Sequence, residues 1–159
     1  MTRYMQIFLL ALLVLMMSHQ AGAQAPANLE QVLSQVATYD WGQSREPLTQ
    51  WTALEQAAYK DPAALKALEK KLSAILKTKA PLAARQFVCQ RLSIIGTAAS
   101  VPVLADMLKD AQTADMARYA LERIPGQEVD GALLKALSKS TGLVTVGVVN
   151  TLGQRGVVK

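Results

Sequence analysis

The pentapeptide Ala84-Arg85-Gln86-Phe87-Val88 returns in altered form 33 residues later as Ala117-Arg118-Tyr119-Ala120-Leu121. Residues 117–125 in turn align with residues 145–153 at an offset of 28, matching Leu121 to Val149 and Ile124 to Leu152. Between these copies lie two more apolar stretches at helical spacing. One carries Val101, Val103, Leu104, Met107 and Leu108, and the other carries Val129, Leu133, Leu134 and Leu137. A unit of about 30 residues built from two short helices cannot cover its own apolar faces, so successive units must stack and share one core. The self-similarity therefore predicts an all-α chain, an α-solenoid of stacked antiparallel helix pairs.

Composition agrees with helices. Hydrophobic residues are 51% of the chain and aromatics only 5%, a balance rich in Ala and Leu, which lose little side-chain freedom in a helix. The net charge of +5 raises nucleic-acid binding as a question. The basic residues are scattered among acidic ones, however, with no interleaved aromatic cluster on which bases could stack. No nucleic-acid partner is expected.

The first 23 residues have their own logic. Arg3 supplies a positive charge, residues 7–17 form an unbroken apolar run, and Ala21-Gly22-Ala23 offers small residues where a signal peptidase cuts. The run is shorter than the roughly 20 residues needed to span a bilayer. Residues 1–23 thus read as a secretory signal peptide and 24–27 as a linker. The expected destination is the bacterial periplasm or the outside of the cell, with no membrane attachment after cleavage. His19 leaves with the signal, so the mature chain would hold no histidine and a lone Cys89, which forbids an intrachain disulfide.

Residues 28–79 read as N-terminal helices that cap the stack or form degenerate repeats. Asn28 can cap a helix with Leu29, Val32, Leu33 and Val36 on one face. A second helix starts near Ser44, with Pro47 in its first turn and Leu48, Trp51, Leu54 and Ala58 along a stripe. Asp61-Pro62 marks a third start, an N-cap oxygen before a proline at the first helical position. Leu65, Leu68, Leu72 and Ile75 then recur along it.

Residues 84–96, Ala-Arg-Gln-Phe-Val-Cys-Gln-Arg-Leu-Ser-Ile-Ile-Gly, resemble the second helix of a HEAT repeat, in the short variety also found in phycobilisome lyases. Residues 101–110 resemble the first helix of the following repeat. The segments Ala-Leu-Glu-Arg-Ile-Pro-Gly at 120–126 and Gly-Val-Val-Asn-Thr-Leu-Gly at 147–153 are similar to large exported bacterial HEAT-repeat proteins. The resemblance covers about residues 80–153 and implies a HEAT-like superhelix over 80–159 that acts as a binding scaffold. Some such relatives are joined to cytochrome or sugar-processing domains, so it equally allows an accessory module of a larger redox or carbohydrate-active protein. It also implies that an acidic residue after a first helix pairs with an Arg in the second, the positions held here by Asp110 and Arg118. Lys77 stands where the acid would precede Arg85, and Val146 takes the Arg position in the last copy.

No catalytic, metal or cofactor site is expected from these residues. Cys89 lacks a histidine base, no His/Cys set has metal-ligand spacing, and there is no phosphate-binding glycine loop. Glu55, Glu69, Asp106 and Glu122 are expected at solvent-facing helical positions. Trp41 and Trp51 are expected to plug an end of the stack, with stacking on a sugar or peptide as the other reading. Arg85 and Arg118 either fix the spacing between repeats or line an inner face with Arg91 and Arg123 for an anionic ligand. From Leu143 to Leu152 the last helix is apolar and uncharged. This predicts an open apolar end, to be covered by a protein partner or by further repeats of the same polypeptide.

Overall fold

The computed structural model describes residues 28–157. The signal peptide read at 1–23 and the linker at 24–27 lie outside them. Eight α-helices and one short 3-10 turn make up the described chain, with no strand. The helices are α1 (Leu29–Thr38), α2 (Glu46–Ala58), α3 (Pro62–Leu76), α4 (Leu82–Ile95), α5 (Val101–Met107), α6 (Ala114–Arg123), α7 (Gln127–Leu137) and α8 (Gly142–Gln154). The 3-10 turn, Ala98–Ser100, leads directly into α5.

Local chemistry sets the helix starts. The Asn28 side chain accepts the Glu30 N–H at 3.0 Å. Asp61 Oδ1 accepts the N–H groups of Ala63 and Ala64 at 2.9 and 3.2 Å, with Pro62 as the first helical residue. Each cap satisfies amide groups that the helix itself leaves without partners.

The helices then pack along two lines. α4 lies against α6 and α6 against α8, while α3 touches α5 and α5 touches α7. Within the sequence-adjacent pairs α3–α4, α5–α6 and α7–α8 the helices also pack on each other, and α2 lies against both α1 and α3. A fully buried leucine from each of six successive helices links the two lines: Leu72, Leu92, Leu104, Leu121, Leu133 and Leu152. They belong to one continuous apolar cluster running from Val32 to Leu152. Burying one leucine side chain contributes about 2 kcal/mol, so this row alone is a large part of what holds the chain together. Gly96 closes the end of α4: a Cβ there would lie 2.3 Å from the Leu92 carbonyl oxygen and 2.8 Å from Ile124 Cδ1 beyond α6.

Candidate functional site

The charged groups expected on the surface divide sharply. Asp106 is exposed and Glu122 half-buried, but Glu55 and Glu69 are buried, at 1% and 2% exposure. The solvent-facing expectation fails for both, and the reason is register. Leu48, Trp51, Glu55 and Ala58 are spaced by three and four, so Glu55 lies on the buried stripe of α2; Glu69 falls likewise between Leu68 and Leu72.

A buried carboxylate needs donors, and both have them. Glu55 accepts Trp51 Nε1 at 3.0 Å, Tyr59 OH at 3.1 Å, and Arg91 through Nε and Nη2, both at 3.0 Å. The two-pronged Arg91 geometry is the strong form of such a pair, and it ties α2 to α4. Burial first, then its bond to Glu55, holds the Tyr59 phenol above its ordinary range. Glu69 accepts the Thr97 amide at 2.7 Å, the Thr97 hydroxyl at 3.0 Å and the Ser100 hydroxyl at 2.6 Å. Its negative charge thereby faces the N-terminal end of the 3-10 turn and α5, where the helix dipole favours it.

The four arginines, read either as fixing the spacing between helices or as lining one inner face, are distributed along the chain. Arg91 is committed to Glu55. Arg85 Nη2 donates to the Thr78 carbonyl at 2.9 Å, just beyond α3, and its Nε is buried without a partner. Arg118 does not pair with Asp110. It donates to Asp115 at 2.9 Å and to the Thr151 hydroxyl of α8 at 3.0 Å, while Asp110 accepts the Gln112 amide within its own turn. Asp115 wins because it sits one helical turn before Arg118 on the same face, whereas Asp110 is held by the preceding turn. The Arg118 guanidinium lies over Gly147, where a Cβ would come within 2.5 Å of Nε. Arg123 rests on the Tyr119 ring, 3.8 Å from its centroid, a favourable cation–π placement.

Arg155, which carries no local signal in the sequence, is the most heavily bonded of the arginines among the described residues. It donates to Asp130 at 2.5 Å and to the carbonyls of Leu121, Glu122, Ile124 and Gly126 at 2.7 to 3.2 Å. A cation at the C-terminal end of α6 meets the carbonyls the helix leaves free. The tryptophans also part: Trp51 is fully buried, while Trp41 stands 62% exposed on the turn between α1 and α2 and so plugs nothing. Cys89 is buried on α4, and desolvation pushes its thiol up to about 12.

Two surfaces stand out for binding. The outward face of α8 presents Leu143 at 88% exposure, with Val146 and Val149 also exposed. An open groove of about 840 Å³ lies between α5 and α7. Ala105, Ala132 and Ala136 form part of its floor, and Lys109, Lys135 and Lys139 stand on its rim. No group of three or more His, Cys, Asp or Glu side chains among the described residues could hold a metal ion, and no helix among them is long and apolar enough to cross a membrane. Compared with known proteins, the chain matches no family model, no curated protein and no solved structure.

Proposed function

We propose that this chain is a HEAT-like α-solenoid of stacked antiparallel helix pairs, an exported scaffold without chemistry of its own that binds protein through its surfaces. The observation that carries the reading is the outward face of α8. Leu143, Val146 and Val149 lie together in solvent at the one position in a stack where a further layer of helix would cover them. The packing of α4 on α6 on α8, and of α3 on α5 on α7, is the order such a stack requires. The charged groups with the strongest internal bonds, Glu55, Glu69, Arg91 and Arg155, hold helices to one another, which suits a rigid surface better than a reactive cleft.

Two measurements test it. Neighbouring helix axes lie roughly 8–10 Å apart, so first helices two layers apart in a solenoid lie about 16–20 Å apart, against about 10 Å in a closed bundle. Spin labels at Lys70→Cys on α3 and Lys135→Cys on α7 read that difference, and the buried Cys89 thiol does not compete for the label. A photo-crosslinker at Val146, with one at Lys66 as control, tests recognition. A discrete adduct in the exported fraction from position 146 alone supports the scaffold; no adduct at 146, or equal adducts at both, removes its support. N-terminal sequencing of exported material should begin at Gln24.

A further inference from the structure

We infer that the groove between α5 and α7 is a docking site for one amphipathic helix of a partner protein, whose apolar stripe enters the groove and whose carboxylates lie over Lys135 and Lys139. This deepens the scaffold reading and rests on it for the class of partner.

The groove is made mainly by two helix faces, with Ser140 and Thr141 of the following turn and Val144 of α8 also lining it. From α7 and the turn after it, Glu128, Ala132, Lys135, Ala136 and Lys139 line it, at intervals of three and four. From α5 and its flanks come Pro102, Ala105, Asp106 and Lys109, again one face of a helix. Half-buried alanines at 105, 132 and 136 leave room for a third helix to approach the backbones closely. Both walls are helical side chains, so no strand edge is available to satisfy an extended peptide. An incoming segment must bond its own backbone, which a helix does. The floor carries no convergent buried polar groups of the kind that fix a small ligand, and no aromatic on which a nucleic-acid base could stack.

Charge selects the partner. Lys109 is ion-paired with Asp106. Lys135 and Lys139 are exposed, lie one turn apart, and make no ion pair among the described residues. Glu128 stands at the other end of the groove, seven residues or about 10 Å from Lys135 along the helix axis. The groove is therefore basic at one end and acidic at the other. A helix with carboxylates at one end and a neutral or basic residue at the other matches it.

Fluorescence anisotropy with the full chain tests the proposal. The probes are a labelled 16-residue helical peptide with a Leu/Ala stripe and Glu at one end, and its twin with Lys in place of Glu. The Glu peptide should bind at least tenfold more tightly than the Lys peptide. The Lys135→Glu/Lys139→Glu variant, changed only at exposed positions and checked for native circular dichroism, should reverse that order. Equal binding of both peptides, no binding of either, or an unchanged order in the double variant overturns the proposal. Lysine-dependent binding of a single-stranded oligonucleotide as tight as that of the Glu peptide also overturns it. If Val146→Lys abolishes peptide binding while the lysine variant does not, the peptide sits on α8, and the groove falls while the scaffold stands. Spin-label distances of a closed bundle remove the scaffold alone, because the peptide assay reads the charge order set by Lys135 and Lys139.

Discussion

Around α2 the buried hub is a carboxylate: Glu55, 1% exposed, collects Trp51, Tyr59 and both prongs of Arg91. Beyond α6 the hub is a guanidinium, and Arg155 reaches four carbonyls and Asp130. Both tie together helices distant in the chain. They differ in what is left behind when the hub is broken. At the first, a buried charge loses its counter-ion. At the second, neutral carbonyls lose a donor, and Asp130, 27% exposed, can turn to water. The helices differ as well: α2 buries Trp51 completely, while α8 leaves Leu143 in solvent.

The first way to break this comparison is Arg91→Ala. An unpaired buried charge of this kind costs about 3 kcal/mol or more, and urea denaturation should show a loss of that size. The double replacement Glu55→Leu/Arg91→Met removes the stranded charge but leaves the buried Trp51 indole N–H without its acceptor, at about 1–3 kcal/mol, so it should recover only part of the loss. A loss under about 1 kcal/mol for Arg91→Ala would mean that Glu55 is hydrated and the hub is no hub. Arg155→Ala comes next, at about 2 kcal/mol for a charged donor lost from several carbonyls. Were it to equal or exceed Arg91→Ala in the same titration, the distinction between stranded charge and unpaired dipole would fail.

The ranking also marks what the sequence could disclose. Helix starts at Asn28 and Asp61 were legible because a cap and the amides it serves lie two or three residues apart. The apolar faces were legible because spacing by three and four is local too. Glu55 and Glu69 carried a readable signal, a carboxylate sitting on an apolar stripe, but their partners did not. Arg91 is 36 residues from Glu55, and the Arg155 carbonyls are 29 to 34 residues away. Nothing local announces such meetings. The Asp110–Arg118 pairing failed for the opposite reason: a nearer acid, Asp115, already stood one turn away. The groove between α5 and α7 was beyond reach, since it exists only once two helices separated by α6 lie side by side.

Gly147→Ala sharpens the picture at smaller scale, because two effects of known size oppose each other. Replacing glycine within a helix by alanine gains about 1 kcal/mol. The new Cβ, however, would lie 2.5 Å from Arg118 Nε and 2.9 Å from its Cζ, so the guanidinium must leave Thr151 and Asp115. Losing the Thr151 bond costs about 1–2 kcal/mol, and the exposed Asp115 pair adds a few tenths. The expected outcome is a net loss of about 1 kcal/mol in thermal or urea melts. A gain would show that Arg118 is free to move and does not join α6 to α8.

The smallest effect on stability is expected at the outward face of α8, and its smallness is the point. Val146 is 55% exposed, so Val146→Lys removes little packing and should change unfolding free energy by no more than about 0.5 kcal/mol. Lysine is also the better helix former of the two, which works against any loss. What should change is association. The face holding Leu143, Val146 and Val149 is the exposed apolar surface of the last helix, and apolar surface in water is removed by contact with other apolar surface. Light scattering at rising protein concentration should show the parent chain growing in mass while Val146→Lys stays at its monomer mass. A parent chain that is already monomeric at high concentration would mean that α8 needs no cover, and that α2 and α8 are more alike than their side chains suggest.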